Sequence, residues 1–163
     1  MSATVGRVWT LTFLAPCPWL TANTLNGPND MHARARLVRK WRRCACDSCQ
    51  AGNLPCGDAR LDYIRVAMTA RFRGRPPVRD GNAGNLDPTK KAVLDGLGPA
   101  RTRQVNGVTR TSPGWGLIPD DSDKHIESSA ITIGEPLPKT VIPDHPGLLT
   151  VTITELVRAG ALF

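Results

Sequence analysis

Residues 79–97 read RDGNAGNLDPTKKAVLDGL, and residues 116–123 read GLIPDDSD. Upstream of the first stretch, residues 61–73 (LDYIRVAMTARFR) alternate, with Ile64, Val66, Met68, Ala70 and Phe72 on one side and Leu61, Tyr63, Arg65 and Thr69 on the other. That period of two predicts a long strand. It leads through residues 74–79 to Asp80, an acid just past a strand end, where catalytic chemistry is commonly carried. From Pro88 to Leu97 the pattern turns helical. Asp87 suits a cap and Pro88 the first turn. Ala92, Val93, Leu94 and Leu97 supply a buried stripe, and Gly98-Pro99 ends the helix. Lys91 and Asp95 are four apart and share a helix face. Leu117-Ile118 is then a short apolar step into Asp120-Asp121.

Working outward, residues 5–14 read as a first strand, and residues 16–30 are rich in turn formers. Asp30 is placed to cap a helix from Met31 to about Ser48. Its apolar positions, among them Leu37, Val38, Trp41 and Ala45, follow a helical period, and arginines occupy the opposite face. Residues 99–115 read as a polar, basic insert loop. Residues 126–134 and 148–156 read as two further strands. The expectation is one α+β domain over residues 1–163, a small mixed sheet with two main helices. Its core covers about 5–156.

Lys and Arg number 21 against 14 Asp and Glu, a net charge of +7. The basic residues crowd residues 32–43 and 101–110, away from the acidic run. A basic surface around an acidic pocket suits a protein that grips a phosphate backbone. No apolar run approaches the roughly 20 residues of a membrane span. Residues 8–15 are apolar but alternate like a strand and lack a strong basic leader, so a cytoplasmic chain without a membrane partner is expected. Of the five cysteines, at 17, 44, 46, 49 and 56, only Cys46 and Cys49 have C-x-x-C spacing. The cluster admits two readings: small residues on a helix and its exit, or a zinc site.

The chemistry concentrates in the acids. Adjacent carboxylates in an extended chain point apart, so of Asp120 and Asp121 one can ligate while the other supports it or faces solvent. Together with Asp80 they offer oxygen ligands from two chain segments, as Mg²⁺ beside a phosphate requires. Lys91 is placed to neutralise developing phosphate charge. The bland readings are Asp-Asp turn chemistry and a surface Lys91–Asp95 ion pair.

The order of these parts resembles the RusA family of Holliday junction resolvases, in its phage and prophage branch. The matching residues are Asp80, then NLDPTKKAVLDGL from Asn85, then LIPDDS from Leu117. The resemblance implies a RusA-like fold and a homodimeric, Mg²⁺-dependent endonuclease that cuts four-way DNA junctions. It puts the essential acids at Asp80 and Asp121, with Asp120 beside them, and the lysine at Lys91. The expected DNA contacts are Arg39, Lys40, Arg42 and Arg43 on the first helix. Arg79 and Lys90 flank the acidic run, and Arg101 and Arg103 lie in the insert. The chain departs from the family at Gly84, where a second acid often stands. That departure supports an alternative, a junction-binding protein of the same fold with weak or no cleavage.

Overall fold

The computed structural model describes residues 3–23, 30–77 and 83–158. Nine elements follow in chain order: β1 (Ala3–Leu14), α1 (Met31–Ala51), β2 (Ile64–Phe72), α2 (Asp87–Leu97), β3 (Pro99–Val105), β4 (Val108–Trp115), β5 (Ile126–Ser128), β6 (Thr132–Ile133) and β7 (Gly147–Arg158). One sheet runs in the order β1-β7-β2-β5, with β6 also on β2. β1 and β2 flank β7 antiparallel, whereas β5 and β6 lie parallel to β2. The sheet is therefore mixed and, with its two helices, makes a small α+β fold.

The alternation in β2 is realised: Ile64, Val66, Met68, Ala70 and Phe72 are all buried. On β7, Leu149, Val151 and Ile153 are buried, and Thr150, Thr152 and Thr154 take the other face. The helices contribute Trp41, Ala45, Cys49, Ala92, Val93 and Leu97 to the same core. Trp41 sits at the centre. Its ring lies 5.0 Å from that of Trp19, which in turn lies 5.0 Å from Phe72. The Trp41 indole Nε1 donates to the Pro18 carbonyl at 3.2 Å, so a fully buried donor is satisfied.

Four details depart from expectation. The Asp30 side chain makes no capping bond to α1; its backbone carbonyl accepts from Arg34 N, at 2.8 Å. Asp87 lies inside the first turn of α2 rather than at its cap, because a short 3₁₀ turn over Ala83–Leu86 runs directly into the helix. The strand expected over 126–134 is two short pieces, β5 and β6. The expected insert loop is a β-hairpin, β3–β4. Its turn is Asn106-Gly107, with φ of 50° and 75°, the pairing of residues that two-residue hairpin turns demand.

The α1–α2 contact explains the Asp-Gly-Leu sequence at 95–97. Leu97 is buried in the core. At Gly96 a Cβ would stand 2.6 Å from the Arg42 carbonyl oxygen and 2.8 Å from the Ala45 Cβ. The helices cross here because no side chain separates them. Gly96→Ala gains about 1 kcal/mol of helix propensity, but overpacking a tight contact costs about 1–3 kcal/mol. The net expectation is a lower urea unfolding midpoint than wild type; an unchanged midpoint would show that the crossing relaxes freely.

Candidate functional site

The site forms where the C-terminal turn of α2 meets residues 116–121. Leu117 N donates to Leu97 O at 2.9 Å and Gly116 N to Gly98 O at 2.8 Å. Gly116 has a φ of 77°, a conformation that suits glycine. This pairing carries the chain past α2 and brings Asp121 beside Asp95. The whole β3–β4 hairpin is looped out between the paired segments. The start of α2 is fixed separately. The buried Thr89 hydroxyl donates to Leu20 O at 2.8 Å and accepts from Leu20 N at 2.9 Å. Ala22 N donates to Asn85 O at 3.0 Å.

At the centre are two carboxylates, Asp95 and Asp121, whose side chains are each 12% exposed. The Lys91 ammonium donates to both, at 3.0 Å to Asp95 Oδ1 and 3.0 Å to Asp121 Oδ2. The Arg101 guanidinium, from β3, closes on the other oxygen of Asp121. Arg42 approaches Asp95 from behind. Its Nη1 lies 3.5 Å from Asp95 Oδ2, its Nη2 donates to the Asp95 carbonyl at 3.4 Å, and its Nε donates to Pro113 O at 3.2 Å.

The two acids are driven apart in acidity. Burial, and then a hydrogen bond with Asp121, raise the Asp95 carboxyl above the ordinary range, against the opposing pull of Lys91 and Arg42. The same bond with Asp95, helped by Lys91, holds Asp121 well below that range. Close carboxylates cannot both ionise without such a split. Burial pulls the Lys91 ammonium down, but its bonds to Asp95 and Asp121 outweigh that and leave it raised.

Among the expected site residues, Lys91 and Asp121 are brought together. Asp120 is not. It turns to accept from Ser122 N at 2.8 Å and lies 3.7 Å from His125 Nε2. Hydrogen bonding by Ser122 lowers its pKa. Asp80 and Arg79 lie outside the described residues. Asp95 is the acid that sequence reasoning left as a surface partner of Lys91. The signal that could have found it is its place between Lys91 and Gly96: a helix face pressed against α1 is not a solvated one.

The expected DNA contacts divide. Arg42 is a correction: it is 8% exposed, and its guanidinium is committed to Asp95 and Pro113 inside the α1–α2–β4 contact. Lys40 and Arg43 are exposed and line a groove with Arg36, Arg39 and Asp47. Lys90 pairs with Asp87 at 3.4 Å. Arg39, Arg101 and Arg103 line a groove between α1 and the hairpin.

Among the described residues no three His, Cys, Asp or Glu side chains gather as a metal-holding cluster. The zinc reading of the cysteines finds no support there. Cys17, Cys44 and Cys49 are pushed up to about 11, 11 and 12, in each case chiefly by burial, so they stay protonated thiols at neutral pH. Also among the described residues, no helix is long and apolar enough to cross a membrane. Comparison with protein-family models, with curated proteins and with solved structures finds no match.

Two outcomes follow from these environments. Asp121, lowered on folding, contributes stability that is complete above the ordinary aspartate value of about 3.9. That stability is lost as pH falls below this value towards the folded pKa. Asp95, raised, acts with the opposite sign: its charged form is a cost that acidification relieves. Asp121→Asn should therefore be less stable than wild type at neutral pH and lose less stability on acidification. Urea titrations between about pH 3 and 7 read this directly; parallel curves would contradict it. In a thiol-labelling assay on the folded protein, exposed Cys56 should react fast, and Cys17 and Cys49 only after unfolding.

Proposed function

We propose that the protein is a Mg²⁺-dependent, structure-selective endodeoxyribonuclease that cuts four-way junctions and other branched DNA in recombination and repair. The reading is carried by one observation: two largely buried carboxylates and a lysine converge beside a cavity that adjoins an arginine-lined groove. The RusA-like order of strand, acid, Lys91 helix and Asp-Asp step supports the same reading.

Carboxylate oxygens are the hard ligands Mg²⁺ prefers, and two from separate segments leave room for water and phosphate oxygens. Asp121 and Asp95 would hold the ion, and the RusA-like order offers Asp80 as a third ligand. Asp120, held by Ser122, keeps to the edge. When bound, Mg²⁺ supplies an acidified water and neutralises charge on the phosphate. The chain's own part is positional and electrostatic. Lys91, already within hydrogen-bonding distance of both carboxylates, would turn to a non-bridging phosphate oxygen and stabilise the charge that develops there. Arg101 is placed to exchange Asp121 for a phosphate in the same way. Paired cuts across a junction need two related sites, so the reading includes a homodimer, which light scattering tests.

A second reading, a junction-binding protein that cuts weakly or not at all, is favoured by a different observation. Lys91 and Arg101 both neutralise Asp121, and Gly84 stands where the RusA-like order often has an acid. A fluorescent four-way junction separates the two. The nuclease reading expects wild type to bind and to cut when Mg²⁺ is added. Asp95→Asn and Asp121→Asn should bind as wild type but cut about 100-fold more slowly or worse, the usual scale for losing one preorganised group. Wild type that binds and never cuts leaves the second reading standing. Variants that cut at full rate overturn the assignment of these acids.

A further inference from the structure

The β3–β4 hairpin has two unlike faces. Register pairs Arg103 with Arg110 and Arg101 with Ser112, so residues 101, 103, 110 and 112 share one face. The other face carries Thr102 opposite Thr111, with hydroxyls 3.1 Å apart, and Gln104, whose Nε2 donates to Thr109 at 2.7 Å. One face is thus neutral and internally bonded, and the other holds three guanidiniums.

Arg103 and Arg110 stand directly opposite one another, a placement that destabilises an antiparallel pair. Folding gains nothing from it. Arg101, Arg103 and Ser112 of this face line a groove of about 460 Å³ whose other wall is α1, with Met31, Arg34, Val38 and Arg39; Arg110 joins the face through its pairing with Arg103. A second cavity continues from it, sharing Arg34 and Val38 and reaching Lys91 and Asp95. Cations therefore lie on both walls of the groove, and the cavity that adjoins it reaches Lys91 and Asp95.

We propose that the hairpin is a cationic arm and that the groove between it and α1 takes a DNA backbone flanking the scissile phosphate. Arg103 and Arg110 would grip it from one wall and Arg39 from the other. A linear array of guanidiniums on two walls fits a row of phosphates; a single free anion would engage only one end of it. The inference rests on the nuclease reading, since it uses the carboxylate pair to say where the strand leads.

The test is binding of a fluorescent four-way DNA junction without Mg²⁺, over about 50–200 mM salt, where released counterions report phosphate contacts. Arg103→Gln/Arg110→Gln should weaken binding about tenfold or more and lower the slope of log affinity against log salt by about two, near 0.9 per contact. Its unfolding midpoint should equal or exceed that of wild type, because a like-charge pair is gone. Moving the charges to the neutral face, by adding Thr102→Arg and Thr111→Arg to that double variant, restores the net charge and should leave binding weak. Arg39→Gln, on the helix wall, should lower the slope by about one even if hairpin variants misfold. Wild-type affinity and slope in the double variant, or full recovery on moving the charges, overturns the arm. Wild type that binds no DNA overturns the nuclease reading with it. Asp121→Asn that binds but cuts at full rate breaks the catalytic assignment alone.

Discussion

Asp95 is the charge around which the site is built. A carboxylate withdrawn from water is tolerated only where cations and hydrogen bonds replace the lost solvation. Here Arg42 arrives from α1, Lys91 from one turn earlier in α2, and Asp121 from the segment after the hairpin. Each partner comes from a different part of the chain, so satisfying one carboxylate fixes the mutual placement of α1, α2 and residues 116–121. Arg42 adds to this by reaching the Pro113 carbonyl on β4. Its guanidinium is a joint between three elements, and its fixed fork of donors suits that task where a lysine would offer a single point charge.

The core was legible in the sequence and the polar joints were not. Ile64 to Phe72 and Leu149 to Ile153 announce their strands because one face is buried and the other is not, and a period of two survives any tertiary context. The α2 stripe was read for the same reason. Arg42 was misread because helical periodicity assigns charge to the solvent face by default. Nothing local reveals that a carboxylate fifty residues away will meet it. Asp95 was passed over for the complementary reason, since an i,i+4 lysine already gave it a partner. The hairpin had a readable signal in Asn106-Gly107, but proline and glycine elsewhere in 99–115 made the stretch look like a loop. Asp120 and Asp121 could be told apart only as alternatives, because alternation says that they diverge and not which one turns inward.

The cationic groove shows how a small basic protein can distribute its charge unevenly. Where surface arginines meet acids on the sheet, as Arg65 meets Glu127 at 2.9 Å and Arg7 meets Glu155 at 2.9 Å, the pairs are exposed and worth little to stability. Around α1 and the hairpin the two acids of the site itself meet arginines, Asp95 with Arg42 and Asp121 with Arg101, and positive charge gathers along the groove between helix and hairpin. The potential they create is strongest in a cleft, where low-dielectric walls focus it.

The neck of the hairpin has a consequence for how such a chain can change over generations. Leu97 and Leu117 are held together by their own backbone bond, so the path between them leaves and returns through one gate. Closure entropy there rises only with the logarithm of the enclosed length. Residues can be added to or removed from the excursion while the two sides of the gate stay where they are. The outer end of the hairpin, beyond Arg101 and Pro113, is thereby free to drift in length and charge, while those two residues tie its base to the acids behind the gate.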